Sequence, residues 1–324
     1  MRKARPGVLT GNIYDLYTER STKRKKQKKS APRGAVYLFA SFDLCDFTAL
    51  KVKYPHRWFD VLVNILQVIT EKSFGMNFWK FIGDEFLFYK EISTALEVVE
   101  TIEDAHDFMR YMEFSTRAAL KDGSFVSVAT GMWIANITNT APLSGDDVEQ
   151  NASNFLLRDF RLSKGGLDFV GVNVDEGFRM CQMASRGCIV VDPKIVYMFL
   201  SLSTLINKRN RRCKFTRKIS TARLNALKKR VKAFAKSLVF IEYGSLKGVP
   251  GGDDYPIMRY VKEKRRCADN THTTDNMDIL EKFFIKAQSH ESMYTIMRLI
   301  SVYKHAGAQL IRPLKDRPKG SWPE

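Results

Sequence analysis

Two carboxylates stand where an apolar stretch of this chain ends, in the segment Phe42–Thr48, which reads FDLCDFT. Asp43 closes the apolar run, and Asp46 follows three residues later. An ionised carboxylate at the end of a buried strand needs a partner, because burying an unpaired charge is costly. The plain alternative for such an aspartate is that it caps a following helix. The segment is therefore a candidate site, and the partner of Asp43 must come from elsewhere in the chain.

A second segment, Trp79–Glu85, reads WKFIGDE and joins two short aromatic-rich runs. Gly83 and Asp84 in its centre are typical of a hairpin turn. Lys80 lies in the run that precedes this turn. A Gly-Asp pair is most often only a turn, so this segment indicates a functional site only in combination with the first segment and with a third one.

A third segment, Leu167–Met180, carries Asp168 and then a predicted helix with Asp175 and Arg179. Because Asp175 and Arg179 are four residues apart, they share one helix face. They form either a simple intrahelical ion pair or part of a functional site. Arginine suits a site for phosphate chemistry, because its fork of donors meets spreading oxyanion charge.

The elements that must position these segments alternate between strands and helices, with hairpins among them. The patterns predict strands over 36–44, 125–137, 187–192, 238–246 and 256–263, and a hairpin around 82–84. They predict helices over 46–72, 92–121, 169–184 and 193–206, and turns over 138–166. Pro55 marks a kink or break in the first helix, whose predicted apolar stripe is Phe59, Leu62, Val63 and Leu66. This order indicates an α+β fold in which helices cover a mixed or antiparallel sheet.

Positive charge dominates the chain, with a formal net charge of +18. The excess lies in a block at 23–29 and in runs within 207–236. We expect solvated or amphipathic helical faces there, and this pattern does not favour a nucleic-acid site. Five cysteines without a C-x-x-C pair predict reduced thiols in a cytoplasmic protein. No apolar run is long enough for a membrane span, and the basic N-terminus lacks the apolar core of a secretory signal.

Together, and in this order, the three segments resemble the motifs of the class III nucleotide cyclases, the adenylate and guanylate cyclase superfamily. The resemblance covers roughly residues 34–264 and implies a ferredoxin-like core. It implies that Asp43, the backbone carbonyl of Leu44, and Asp84 bind two divalent ions, Mn²⁺ or Mg²⁺. Oxygen ligands suit these ions, which also bind substrate phosphates. Such ions would activate the ribose 3′-hydroxyl and stabilise charge on the triphosphate.

The same resemblance assigns roles to the other two segments. Lys80 and Asp168 match the residues that contact the base. Arg179 matches the one that stabilises the transition-state phosphate, and Asp175 stands where the usual cyclase has an Asn that orients the ribose. In this family the metal-binding aspartates come from one subunit and the Lys, Asp and Arg set from the other. The resemblance therefore implies a homodimer with two composite sites.

The resemblance also divides the chain. It implies a cyclase catalytic domain at 34–264, while the polar, basic composition of 1–33 predicts a flexible arm and the pattern of 265–324 predicts a helical extension. The basic stretch 207–236 is expected to be an insertion in the catalytic domain, helical in part.

The segment VNVDEGFR, with Asp175 in place of Asn, is most similar to the bacterial pyrimidine cyclases of Pycsar antiphage defence. That likeness implies UTP as the substrate and 3′,5′-cyclic UMP as a messenger read by a separate effector protein. The donor of Lys80 and the acceptor of Asp168 fit uracil, cytosine and adenine alike, so CTP and then ATP stay open as substrates. Phe42, with Phe78 and Phe81, is predicted to fill a pocket sized for a pyrimidine. A non-enzymatic polyanion-binding protein is the alternative from a different class.

Asp46 departs from the family pattern, which most often has Gly at this position. We predict that its side chain caps the first long helix by accepting from the backbone near Thr48 or Ala49. A third, weaker metal contact is the alternative.

Overall fold

A mixed sheet of nine strands forms the centre of the part of the chain that the structure describes. This computed structural model describes residues 35–71, 74–120, 124–139, 154–159, 166–207, 221–249, 252–262 and 273–287, and the predicted arm at 1–33 lies outside them. The strands are β1 (Ala35–Leu44), β2 (Asn77–Ile82), β3 (Glu85–Ile92), β4 (Val128–Asn139), β5 (Asn154–Asp159), β6 (Gly166–Gly171), β7 (Ile189–Val191), β8 (Leu238–Gly244) and β9 (Tyr255–Tyr260). The helices are α1 (Phe47–Lys53), α2 (Trp58–Glu71), α3 (Ala95–Leu120), α4 (Val172–Cys181), α5 (Pro193–Asn207), α6 (Thr221–Lys236) and α7 (Thr273–Ala287). The predicted α+β fold with a mixed sheet is confirmed.

Seven of the strands follow one another across the sheet in the order β2-β3-β1-β4-β7-β9-β8. Neighbours along this path are antiparallel, except that β4 and β7 run parallel. The β5–β6 hairpin joins through a parallel pairing of β5 with the end of β4. β1 therefore lies between β3 and β4, which pair with both of its edges.

One face of the sheet buries an aromatic cluster beneath α3. Phe42 on β1 is fully buried, and its ring packs edge to face against Phe74, Phe88 and Phe108. Because Phe108 belongs to α3, its contact with Phe42 packs this helix against the sheet. Rings packed in this way contribute beyond the area that they bury.

The opposite face of the sheet is covered by α4 and by the β5–β6 hairpin. Phe39 on β1 stacks on Trp133 of β4 and contacts Phe169 of β6. Trp79 and Phe178 complete the contacts, and Phe178 places α4 against both tryptophans. Because residues alternate along β1, Ser41 and Asp43 lie on this same face.

The first helical region agrees with the sequence pattern in one feature and differs from it in another. The break predicted at Pro55 is confirmed, because α1 ends at Lys53 and α2 begins at Trp58. The predicted apolar stripe is wrong, since Phe59 is 57% and Val63 is 42% exposed, and the buried residues of α2 are Val61, Ile65 and Val68. Apolar residues occur on both sides of α2, so periodicity alone does not select the buried side.

The region predicted to be turns contains strands. β4 extends to Asn139, and β5 and β6 pair with each other within 154–171. The helix predicted from residue 169 begins instead at Val172, because Phe169–Gly171 pair with β5. Backbone pairing with a distant strand therefore decides the state of these residues.

The C-terminal part of the described chain packs on the domain itself. In α6, Val231 and Phe234 are buried, as the amphipathic pattern of that segment predicts. In α7, Phe283 contacts Tyr255 of β9. Among the helices that the structure describes, none combines the length and the apolar character needed to cross a bilayer.

Candidate active site

The end of β1 and the β2–β3 turn bring Asp43 and Asp84 close together. Asp43 lies opposite Glu85 in the β1–β3 ladder, and Asp84 immediately precedes Glu85. Gly83, the first residue of this two-residue turn, has a φ of +67°, which suits glycine at that position. The pKa of Asp43 is raised, first by partial burial and then by the negative charge of Asp84. The two carboxylates are therefore near enough to repel each other.

Glu85 adds a third carboxylate, and we call Asp43, Asp84 and Glu85 the acidic cluster. Burial raises the pKa of Glu85, a hydrogen bond from Ser41 opposes that rise, and the charges of Asp43 and Asp84 add to it. Within the described ranges, no Lys, Arg or His forms an ion pair with any of the three. Glu85 was absent from the sequence-based site, although its position beside Asp84 was an available signal. A bound cation would relieve this uncompensated negative charge.

The donor set at this end of β1 fits a hard divalent cation only in part. In the described part of the chain, no three His, Cys, Asp or Glu side chains are arranged to hold a metal ion by themselves. The carboxylates of Asp43 and Asp84 and the carbonyl of Leu44, the last residue of β1, offer oxygen ligands only. Mg²⁺ is often bound by one or two carboxylates, with water and substrate phosphates completing its shell. These residues therefore fit Mg²⁺ or Mn²⁺ if a phosphate ligand supplies the remaining oxygens.

Asp46 does not cap a helix with its side chain, contrary to the prediction. It is the N-cap residue of α1, but it makes no side-chain capping hydrogen bond. Its φ of 57° is left-handed, whereas a capping side chain requires an extended backbone. The carboxylate instead forms an ion pair with Arg186, and the backbone carbonyl accepts from Leu50 N at 2.9 Å. This backbone conformation is one that glycine adopts without strain.

Lys80 and Asp168 form a direct ion pair between β2 and the β5–β6 hairpin. The Lys80 Nζ lies 2.7 Å from the Asp168 Oδ1, and the side chains are 36% and 48% exposed. The same carboxylate oxygen accepts from Phe169 N at 3.0 Å, and the ammonium sits 4.6 Å from the centre of the Trp79 ring. The pair therefore presents one donor and one acceptor group side by side at a partly open surface.

A β-bulge in β2 explains why the adjacent residues Trp79 and Lys80 point in different directions. The pairing of β2 with β3 shifts register between Phe78 and Lys80. Trp79 turns inward against Phe39 and Phe169, while Lys80 reaches Asp168 near the surface. A bulge redirects side chains in this way because one strand gains a residue against its partner.

The outer face of α4 carries Asp175 and Arg179, and both are exposed. The Arg179 guanidinium donates to the carbonyl oxygen of Lys247 in the loop after β8. Gly248 lies beside this guanidinium. No ion pair between Asp175 and Arg179 is found among the described residues, so the simple intrahelical pair is not formed. Arg179 is held by a neutral acceptor, which leaves its charge available to an anion.

The predicted aromatic residues are split between the core and the surface. Phe42 is fully buried beneath α3, on the face of the sheet opposite Asp43, and therefore does not face a substrate bound at Asp43. Phe78 and Phe81 are 39% and 50% exposed and pack against each other. The alternation of β1 accounts for the difference, because adjacent residues point to opposite faces.

The candidate residues form two separate groups in one chain. In the described part, no hydrogen bond or ion pair joins the acidic cluster to Lys80, Asp168 or Arg179. The inner face of α4 contains a further polar group that the sequence analysis missed, in which Glu176 contacts Lys194. The sequence signal for Lys194 was a lysine in an otherwise apolar stretch after an Asp-Pro pair.

Comparison with solved structures returns nucleotide cyclases. The adenylyl cyclase CyaB from P. aeruginosa is 10% identical, with 73% of this chain and 99% of that chain covered at a TM-score of 0.43. The guanylyl cyclase Cya2 is 13% identical, with 72% and 97% covered at 0.43. An adenylate cyclase from Trypanosoma brucei is 14% identical, with 73% and 92% covered at 0.41. No protein-family model matches the chain, and no curated protein matches it either.

Proposed function

We propose that this chain is a nucleotide cyclase, and that it converts UTP into 3′,5′-cyclic UMP and diphosphate. The observation that carries the proposal is the acidic cluster, whose carboxylates repel each other and have no basic partner among the described residues. A metal-bound triphosphate is a ligand that such a cluster suits. The resemblance of three segments to cyclase motifs supports the same reaction.

Asp43, Asp84 and the carbonyl of Leu44 are proposed to hold the divalent ions, Mn²⁺ or Mg²⁺. When bound, such ions acidify the ribose 3′-hydroxyl and neutralise charge on the triphosphate. In the reaction the 3′-hydroxyl gives its proton to water, and its oxygen forms a bond to the α-phosphorus. The bond from that phosphorus to the bridging oxygen breaks, and diphosphate leaves with the electron pair.

The second group of residues is proposed to bind the nucleotide. Opening of the Lys80–Asp168 pair would offer the ammonium to a base carbonyl and the carboxylate to the N3–H of uracil. Arg179 would exchange its carbonyl acceptor for the reacting phosphate, where charge accumulates in the transition state. Asp175 would accept from a ribose hydroxyl and so orient the sugar. The exposure of Asp175 and Arg179 is compatible with these contacts.

A homodimer is proposed, because the two groups make no contact within one chain among the described residues. Each site would combine the acidic cluster of one subunit with Lys80, Asp168 and Arg179 of its partner. The cyclic nucleotide would then act as a messenger for a separate effector protein in antiphage defence. Resemblance to pyrimidine cyclases supports UTP, and the Lys80–Asp168 pair fits CTP and ATP as well.

The decisive experiment incubates the purified chain with each nucleoside triphosphate and Mn²⁺, and identifies the products by mass spectrometry. Cyclic UMP as the main product is expected. Cyclic CMP or cyclic AMP as the main product would refute the UTP assignment and retain the cyclase, and no cyclic product with any nucleotide would refute both. Asp43→Asn and Asp84→Asn should each abolish turnover. Asp60→Asn is the matched control, because this exposed carboxylate lies in the first turn of α2.

The composite site has its own test. Asp43→Asn and Arg179→Ala chains are co-expressed with different affinity tags, and the mixed dimer is isolated. Because one of its two sites would contain both intact groups, about half of the wild-type activity is expected. Absence of activity in a mixed dimer whose parents are each folded would contradict the composite arrangement.

A further inference from the structure

A buried network of charges lies beneath α4. Lys194 is 1% exposed and lies 2.7 Å from the Glu176 carboxylate and 3.2 Å from that of Asp192. Asp192 is equally buried and also accepts from Ile134 N at 3.2 Å. Burial acts to lower the pKa of Lys194, but the charges of Asp192 and Glu176 outweigh it and raise the pKa. Lys194 is therefore a buried cation in contact with two carboxyl groups.

Glu176 is the member of this network that belongs to α4. Its Oε1 accepts from the Tyr255 hydroxyl at 3.1 Å. Its Oε2, which also contacts Lys194, accepts from Asn173 Nδ2 at 3.2 Å. Glu176 directly follows Asp175 and precedes Arg179 by three residues. The network thus holds the same turn of helix whose outer face carries the proposed nucleotide-binding residues.

The network joins elements that are far apart in sequence. Asp192 precedes α5 and accepts from Lys194 N at 2.8 Å, as a helix N-cap does. Tyr255 lies on β9, and its ring contacts Phe283 of α7. The position of α4 is consequently tied to β4, to β9 and to the start of α5.

Packing against apolar neighbours would hold α4 at less cost in desolvation. Buried ion pairs often contribute less stability than apolar residues of the same volume, and in some proteins they select one geometry instead. Other contacts of α4 with β4 include the packing of Phe178 on Trp133 and the close approaches of Gly177 to Trp133 and of Cys181 to Gly131. Those packing contacts are not directional, whereas the hydrogen bonds of Glu176 to Lys194, Tyr255 and Asn173 are.

We infer that Glu176, Lys194, Asp192 and Tyr255 are positioning residues that fix the rotation of α4 and thereby aim Arg179 at the reacting phosphate. The catalytic consequence rests on the proposed cyclase function. The structural consequence, a fixed rotation of α4, does not, and the two are measured separately.

The structural arm measures backbone amide hydrogen exchange of the full chain by mass spectrometry. Glu176→Gln keeps the shape of the side chain and leaves Lys194 paired with Asp192, so the variant should fold. Amides in Val174–Met180 should exchange about tenfold faster, which corresponds to about 1.4 kcal/mol, while α3 is unchanged. Glu103→Gln is the control, because it neutralises a carboxylate that pairs with Arg230 at 3.1 Å, outside the network. Unchanged exchange of α4 in Glu176→Gln would overturn the inference whatever the enzyme does.

The kinetic arm separates positioning from simple loss of folded protein. Glu176→Gln should lower kcat by about 10²-fold with KM unchanged, as expected when a catalytic group is displaced by about 1 Å. In an Arg179→Ala background the same substitution should cause no further loss, because the network acts through Arg179. Equal losses in both backgrounds would overturn the inference. Tyr255→Phe, which removes one hydrogen bond and keeps the ring on Phe283, should show a smaller loss of kcat.

Discussion

Gly177→Ala tests how closely α4 must approach the sheet. A Cβ at this position would meet three atoms of the Trp133 indole at less than 3.0 Å, whereas carbon atoms in contact lie about 3.5–4.0 Å apart. Either α4 retreats by at least about 0.5 Å or the indole rotates. Rotation is hindered, because Trp133 is 1% exposed and stacks on Phe39 with 5.3 Å between ring centroids.

The sign of the stability change makes this substitution informative. Helix propensity alone favours Ala over Gly by about 1 kcal/mol. Overpacking typically costs about 1–3 kcal/mol, and three close atoms on a confined ring place Gly177→Ala near the upper end. We expect a net loss of about 2 kcal/mol in the free energy of unfolding, or a fall in Tm of roughly 4–8 °C. Activity should fall by about tenfold, since small displacements of catalytic groups are costly.

Thermal unfolding and initial rates of product formation, measured on the same preparations, check this prediction. Gly75→Ala is the matched control, because Gly75 has a φ of +77° in the loop before β2 and Ala there should cost about 1–2 kcal/mol. The control should lose stability and keep its kcat. A Gly177→Ala protein that is more stable than wild type would refute the close contact between α4 and Trp133.

Three further predictions concern β1 and its end. Asp46→Gly should be about 1–2 kcal/mol more stable than Asp46→Ala by chemical denaturation, because both lose the pair with Arg186 and only Gly accepts the left-handed backbone freely; equal stabilities would contradict that conformation. Phe42→Ala should lower the free energy of unfolding by about 3–5 kcal/mol and keep the nucleotide preference of wild type. A changed preference would show that Phe42 contacts the substrate. The raised pKa of Asp43 means that ionisation costs folded-state stability as pH rises above the unfolded value of 3.8. In chelator-treated protein, Asp43→Asn should therefore raise Tm more at pH 7 than at a pH below 3.8, and the opposite order would refute the raised pKa of Asp43.

Local chemistry explains which parts of the molecule were predictable. The Gly83-Asp84 turn follows from a residue that accepts positive φ in a two-residue hairpin, and the break at Pro55 follows from a ring that cannot continue a helix. The strand β1 follows from an apolar run with turn residues after it. Each of these signals lies within a few residues of the feature that it predicts.

Features that depend on distant partners were not predictable in the same way. The strands β5 and β6 pair with each other and with β4, so their state depends on long-range hydrogen bonds. The buried side of α2 depends on what the helix packs against. The direction of Asp46 depends on Arg186, which is 140 residues later in the chain.

The sequence by itself determined which chemical groups the candidate site contains. They are one carboxylate at the end of a strand, one in a turn, two more around the third segment, a lysine and an arginine. Tertiary structure alone decided their grouping. It brought Asp43 beside Asp84 and paired Lys80 with Asp168, and it built the charge network under α4 from β4, α5 and β9. The physical reason is that a carboxylate carries the same charge anywhere in a chain. Whether that charge is repelled, paired or buried depends on neighbours that only folding supplies.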